Sequence, residues 1–190
     1  MNSITQKKEH IILTAIELFA NQGVGVSTAE IAKTADIANG TLFYNFETKQ
    51  DLIDAVFVYL KQDTLYAVIR GLDESNSIED KMYMFWENYI EWAINNKSKH
   101  KALAVLKNSQ MLSPCVIKKT EEMFQEIYQE IDNSIKSNDL KEIPFYLFNS
   151  LALAQLTALL EYINKENLAN SKLKEITKLS YNVFFNGVKG

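Results

Sequence analysis

Proline interrupts this chain only twice, at Pro114 and Pro144. Set beside apolar residues that recur every three or four positions, that scarcity commits nearly the whole length to α-helix. Both prolines stand where helices begin: Ser113-Pro114 reads as an N-cap followed by proline at the first helical position, and Pro144 opens another helix in the same way. The expectation is an all-α protein of about nine helices. A first helix covers roughly Thr5 to Asn21, with Gly23 placed for a left-handed C-cap. Ser27-Thr28-Ala29-Glu30 is a capping box that opens a second helix of about two turns. A third runs about Ala38 to Asn45, and Thr48 with Asp51 caps a long fourth helix to about Arg70-Gly71. Longer helices follow, at about Ser77 to Asn96, Lys99 to Gln110, Ser113 to Lys136, Pro144 to Asn164 and Ser171 to Gly187.

At 47% apolar residues, the 190-residue chain is able to build a real core, and it falls outside the disordered class. Its most apolar stretch, Ile143 to Ile163, is broken by Asn149, Ser150, Gln155, Thr157 and Glu161, so no run approaches the ~18 apolar residues of a spanning helix. Met1 to His10 is polar and lacks the pattern of a secretory signal, which points to the cytoplasm. Cys115 is the only cysteine, and His10 and His100 lie far apart, so no metal-ligand spacing exists and no cofactor is implied. His100 and Cys115 read as a surface histidine and a helix-start cysteine. Nucleophile–base pairs and glycine-rich phosphate loops are missing as well, and the chain is not read as an enzyme.

The grain changes after about residue 48. Residues 1–48 hold three short helices with tight connections, and 49–190 the longer ones, with the fourth helix (about 49–70) as the connection. Two short helices joined by a turn and preceded by a packing helix make a helix-turn-helix. Ile31, Ala35, Ile37, Leu42 and Phe46 supply its buried side; Asn39, Gly40, Thr41, Tyr44 and Asn45 are small or polar and face outward. Charge adds nothing to this argument: residues 1–50 carry four lysines (Lys7, Lys8, Lys33, Lys49) against five acids (Glu9, Glu17, Glu30, Asp36, Glu47). Net charge over the chain is -4.

The ordered residues Ile12-Leu13, Ala15, Leu18-Phe19 and Gly23, then Ser27-Thr28, Glu30-Ile31-Ala32, then Gly40-Thr41-Leu42-Phe43-Tyr44-Asn45-Phe46, Lys49 and Leu52 resemble the TetR family signature, in unbroken register over about residues 10–56. The rest of the chain resembles that family only in its helical layout. The resemblance implies a dimeric regulator that binds double-stranded operator DNA, usually as a repressor, and is released by a small effector. It puts Asn39, Thr41 and Asn45 at base-reading or nearby phosphate positions, and Tyr44 where an aromatic touches the backbone or a thymine methyl. Thr28 and Lys49 fall at phosphate-anchoring positions, and Gly40 admits the sugar-phosphate chain. Two positions depart from the pattern: Asn39 is uncharged where a base is common, and Phe43 replaces a tyrosine whose hydroxyl reaches a phosphate. Phe43 and Phe46 read as core. Arg70 is the only arginine and lies outside the motif, so a bidentate arginine–guanine contact is excluded and a shallow salt dependence is expected. Lys7 and Lys8 compensate as an N-terminal arm.

A lone helix-turn-helix binds too little DNA for tight specificity, so a homodimer is expected. The helix from Phe145 to Tyr162 is apolar around most of its circumference, and the last helix repeats apolar residues at helical spacing. Leu156, Leu160, Ile163, Tyr181 and Phe184 are the expected interface. Aromatics concentrate in the middle of the chain. Tyr59, Tyr66, Trp86, Tyr89, Phe124, Tyr128 and Phe148 are candidates to line a site for a flat hydrophobic or aromatic effector. Glu87, Glu91 or Glu161 would supply a counter-charge if that effector were a cation. The competing view is a helical ligand-binding or adaptor protein that has lost DNA binding, supported by the missing arginines, Phe43 and the acidic balance.

Overall fold

The computed structural model describes residues 3–73, 76–166, 168 and 170–190. It contains α1 (Ser3–Gln22), α2 (Thr28–Thr34), α3 (Asn39–Asn45), α4 (Lys49–Val68) and α5 (Ile78–Asn95), then α6 (Lys97–Asn108), α7 (Pro114–Glu122), α8 (Gln125–Lys136), α9 (Phe145–Glu166) and α10 (Asn170–Val188). Among the described residues there is no strand; a single antiparallel bridge pairs Leu140 with Lys189. The protein is therefore all-α.

The local signals act where the sequence puts them. Ser27 accepts the Glu30 amide at 3.1 Å and caps α2. Thr48 and Asp51 satisfy each other reciprocally: the Asp51 carboxylate accepts the Thr48 amide at 2.9 Å, and the Thr48 hydroxyl accepts the Asp51 amide at 3.1 Å. Ser77 does the same for the Asp80 amide ahead of α5. Gly23, at φ +82°, closes α1 by donating its amide to the Phe19 carbonyl, a backbone shape open to glycine at little cost. The single helix expected from Ser113 to Lys136 is two, α7 and α8. No proline or glycine marks the break at Phe124, which is buried. The two halves belong to different packing units, so tertiary burial made a stop that the local sequence does not encode.

Two compact units form. The first comprises residues 1–63 and 96–122, the second 64–95 and 123–190. In the first, α1 packs on α2 and α6, and α2 on α3. Ile11, Ala15, Ile16, Phe19, Ile31, Leu42, Leu52, Ile53 and Leu106 are all but fully buried there. Each such isoleucine, leucine or phenylalanine side chain gains about 1.5–3 kcal/mol on leaving water. Polar clasps bind the later helices to this core: Ser98 donates to Glu17 at 2.8 Å, Gln50 donates to the Met111 carbonyl at 2.8 Å, and Asp54 accepts the Ser113 amide at 3.2 Å. In the second unit α5, α9 and α10 pack together, with α8 on α9. The compact units follow packing and do not divide at residue 48: α6 and α7 fold with the first three helices.

Candidate nucleic-acid interface

The turn between α2 and α3 is built by backbone geometry. The Asp36 amide donates to the Lys33 carbonyl and the Ile37 amide to the Ala32 carbonyl, with Asp36 at φ +52°. That pair of bonds is the Schellman arrangement, here with aspartate in the left-handed position usually held by glycine. His10 on α1 holds the same corner, its Nε2 lying 3.0 Å from the Ala35 carbonyl. A carbonyl only accepts, so Nε2 carries the hydrogen. α3 is anchored from beneath by Leu42 and Phe46, both buried.

What remains of α3 faces solvent. Asn39 and Gly40 are exposed, Thr41 and Asn45 are half-buried, and Tyr44 is 78% exposed. An ideal Cβ built on Gly40 would meet nothing within 4 Å, so the surface at that position is open. The Asn45 amide donates to the Thr41 carbonyl at 2.8 Å, which fixes its rotamer and turns its oxygen away from that carbonyl. Phe43, read as core from sequence, is 40% exposed. Only one face of a seven-residue helix reaches the core, and Leu42 and Phe46, four apart, take it. The outward row therefore holds two neighbouring aromatics, one with a hydroxyl and one without.

Thr28 is half-buried at the first position of α2 and Lys49 half-buried at the first position of α4. A cation at a helix start opposes the helix dipole, and Asp51 in the same turn offsets it. Lys8 lies with its ammonium 5.1 Å from the centre of the Phe46 ring. Lys7 and Lys8 belong to α1, which starts at Ser3; they are exposed residues of a helix and not an extended arm.

The aromatic residues divide between the two units. Tyr59 lies in the first, under the Lys99 ammonium at 5.6 Å from its ring centre, while Lys99 also pairs with Asp63 at 2.9 Å. Tyr66 is largely exposed. Trp86, Tyr89, Phe124, Tyr128 and Phe148 fall in the second unit, where two ring clusters form beside a Tyr89–Trp92 pair at 5.9 Å. One joins Trp86 to Phe184 (5.2 Å, stacked) and Tyr181 (6.1 Å, edge-on), with Phe148 against Phe184 at 5.4 Å and Tyr83 against Tyr181 at 5.1 Å. The other joins Tyr128 to Phe124 at 6.3 Å and Phe145 at 4.5 Å. Burial pushes the Tyr89 hydroxyl up to about 12. Arg70 pairs with Glu91. His100, expected at the surface, is half-buried, and burial lowers its pKa.

Leu156, Leu160, Ile163, Tyr181 and Phe184, expected at a dimer interface, are instead buried within the second unit. Tyr181 and Phe184 are members of the Trp86 cluster, and the Tyr181 hydroxyl donates to the Glu79 carbonyl at 2.7 Å. The exposed apolar residues of the same two helices are others: Tyr146, Leu147, Leu151 and Tyr162 on α9, Leu179 and Val183 on α10. The residues expected from sequence lie on the inward faces of these two helices, and the exposed apolar residues lie on their outward faces. Leu147, Leu151, Ala154, Ala158 and Tyr162 recur at helical spacing along the exposed side of α9, a second apolar stripe visible in the sequence. Among the described residues no group of three or more His, Cys, Asp or Glu converges as a metal site, and no helix is long and apolar enough to cross a membrane.

Residues 11–56 match the model of the family described as bacterial regulatory proteins, tetR family. The HTH-type transcriptional regulator AcrR of Shigella flexneri is 36% identical over 53 residues, 27% of this chain and 25% of that protein. The chain thus matches about a quarter of the length of that curated relative. A solved structure from Shewanella sp. PV-4, assigned to the tetR family of transcription regulators, superposes with a TM-score of 0.87 at 26% identity, covering 97% of this chain and 98% of that one. A TetR family transcription regulator from Marinobacter aquaeolei VT8 superposes at 0.88 with 17% identity, over 97% and 96% of the two chains, a likeness of fold.

Proposed function

We propose that the chain is a regulator of the TetR family, a ligand-released repressor that binds a palindromic operator as a homodimer in the cytoplasm. The observation that carries the DNA-binding part is α3: a seven-residue helix pinned by Leu42 and Phe46, with Asn39, Gly40 and Tyr44 presented outward inside the matched segment. Tyr44 and Phe43 meet thymine methyls or sugars, Asn39, Thr41 and Asn45 meet base edges or nearby phosphates, and Thr28 and Lys49 anchor phosphates on either side. With few cations in the segment, the interface makes few phosphate contacts and loses affinity slowly as salt rises.

The homodimer would form through the exposed stripe Leu147, Leu151, Ala154, Ala158 and Tyr162, whose alanines let a second helix approach closely, together with Leu179 and Val183. The effector would enter the second unit, whose aromatic clusters suit a flat apolar molecule. No part of this scheme asks for catalysis.

The test is a binding shift of the purified protein on the DNA immediately upstream of its own gene, at two salt concentrations and with non-specific competitor. A competitor-resistant shift with two-fold symmetric protection supports the repressor scheme. Protein that stays off this DNA at both salts, after denaturation and refolding to strip any co-purified effector, sinks it in favour of a helical ligand-binding protein.

A further inference from the structure

Trp86 is 3% exposed, and its indole Nε1 is buried without a hydrogen-bond partner. It is the one side-chain nitrogen or oxygen in that condition among the described residues. Buried N–H groups in folded proteins are nearly always paired, and an orphan forfeits the hydration it had in the unfolded chain. Of the rings in this cluster only the tyrosines carry an acceptor, and neither takes this N–H. Phe184 stacks on the indole, Phe148 backs Phe184, and Tyr181, edge-on to Trp86, directs its hydroxyl to the Glu79 carbonyl, to which it donates. A phenylalanine at position 86 would keep most of the packing without the cost, so the N–H is a liability unless something accepts from it.

We infer that Trp86 is the polar anchor of the effector site, donating its indole N–H to an acceptor oxygen or nitrogen on a neutral, planar, otherwise apolar molecule held among Tyr83, Phe148, Tyr181 and Phe184. The acceptor is uncharged because acids outnumber bases beside these rings: Glu79, Asp80 and Glu87 against Lys189, 3.8 Å from Glu79, while Lys81 is paired with Glu130. Glu79 and Asp80 act on Tyr181, and Glu87 acts on Tyr83, in each case adding to burial in raising the phenol's pKa. A carboxylate ligand would meet that field unfavourably, and a bare hydrocarbon would leave the N–H orphaned. Aryl ketones, lactones and neutral heteroaromatics fit both conditions. The assignment rests on the effector-controlled scheme above and sharpens it to one residue and one ligand class.

The test uses the full chain, labelled with ¹⁵N, and a matched set of probes. The chain has two tryptophans, so the indole region holds two N–H signals, and Trp86→Phe identifies which is which. The probes are 9-fluorenone, fluorene (the same skeleton with a methylene for the carbonyl) and the anionic fluorene-9-carboxylate. Fluorenone is expected to saturate at one per chain, to move the Trp86 indole proton downfield, and to bind about five- to tenfold tighter than fluorene, the margin of one buried hydrogen bond. The carboxylate is expected to bind least. Trp86→Phe is expected to erase the difference between ketone and hydrocarbon. Ketone and hydrocarbon binding alike, a Trp86 signal that ignores bound ketone, or no binding of either up to the solubility limit each overturns the inference; the first and the third are read on wild-type protein and survive a variant that misfolds. The same samples are titrated onto the upstream DNA. A protein that shifts DNA but fails at Trp86 loses only this inference, and one that takes the ketone at Trp86 yet ignores DNA loses the repressor scheme.

Discussion

Lys49 and Asn45 stand four residues apart in the chain and should fail in different ways. Lys49 meets DNA, in the scheme proposed, only as a charge. Lys49→Ala is therefore expected to weaken binding about equally on every sequence and to lower the salt slope by about one, in binding titrations across a salt series. Asn45 is held by its bond to the Thr41 carbonyl, with an amide oxygen left to accept. Asn45→Ala is expected to cost about 1–3 kcal/mol on the preferred operator and to relax preference at one base pair. Unchanged preference on a library of single-base operator variants would remove Asn45 from the reading surface. Away from the DNA face, Lys61 carries a pH signature. Burial first, then the neighbouring Lys107 charge, lowers its pKa from 10.5 to about 8, with Glu121 acting weakly in the opposite sense. Between those two values the unfolded chain binds the proton that the folded chain has released, so stability rises with pH across that window. Lys61→Met is expected to be the more stable protein at pH 7 and to show a smaller rise towards pH 9.5, by about 1–2 kcal/mol, in urea unfolding at a series of pH values. Parallel curves for the two proteins would contradict this.

Elements show where the sequence was legible and where it was not. The helix-turn-helix could be read because its instructions are local: the Ser27 cap, the reciprocal Thr48–Asp51 pair, and Gly23 at positive φ each act within four residues of themselves. Phe43 was misread because a seven-residue helix has one buried face, and local sequence did not say which aromatic would miss it. The break at Phe124 and the choice of face on α9 share a cause. Both are decided by partners distant in sequence, and α9 is apolar on two sides, so burial against α5 and α10 selected Leu156, Leu159, Leu160 and Ile163 and left Leu147, Leu151 and Tyr162 outside. That leftover stripe carries the dimer prediction. Leu151→Glu together with Ala158→Glu places two charges on it without touching the core. The double variant is expected to sediment as a monomer with unchanged helical content, and to lose operator affinity by at least a hundredfold because single reading heads bind too little DNA. A variant that stays dimeric would move the interface elsewhere.

At the scale of the whole molecule, α4 is the one helix that the two packing units share: it starts in the first, and from Thr64 onward its residues count with the second. It carries Lys49 at its first position and ends before Gly71, whose positive φ closes the turn that follows. In the scheme proposed, an effector seated in the second unit alters DNA affinity by tilting α4, whose first residue is Lys49. The tolerance is small. Half-sites lie about 34 Å apart per helical turn, and both heads of a dimer must match that repeat at once. The effector need not be strong; it must only prefer the unmatched state, and a hundredfold preference shifts the equilibrium by about 2.7 kcal/mol. The lone cysteine makes the movement measurable. With Cys115→Ser removing the native thiol, Lys33→Cys on the exposed side of α2 gives one spin label per head, away from the residues assigned to DNA. Pulsed electron paramagnetic resonance across the dimer is expected to give a narrow distance distribution on operator DNA, displaced by a few ångströms when a releasing effector saturates the free protein. The free, unliganded protein should span both. Coincident distributions for the DNA-bound and effector-bound forms would rule out head separation as the switch and leave loss of order within the heads as the route of release.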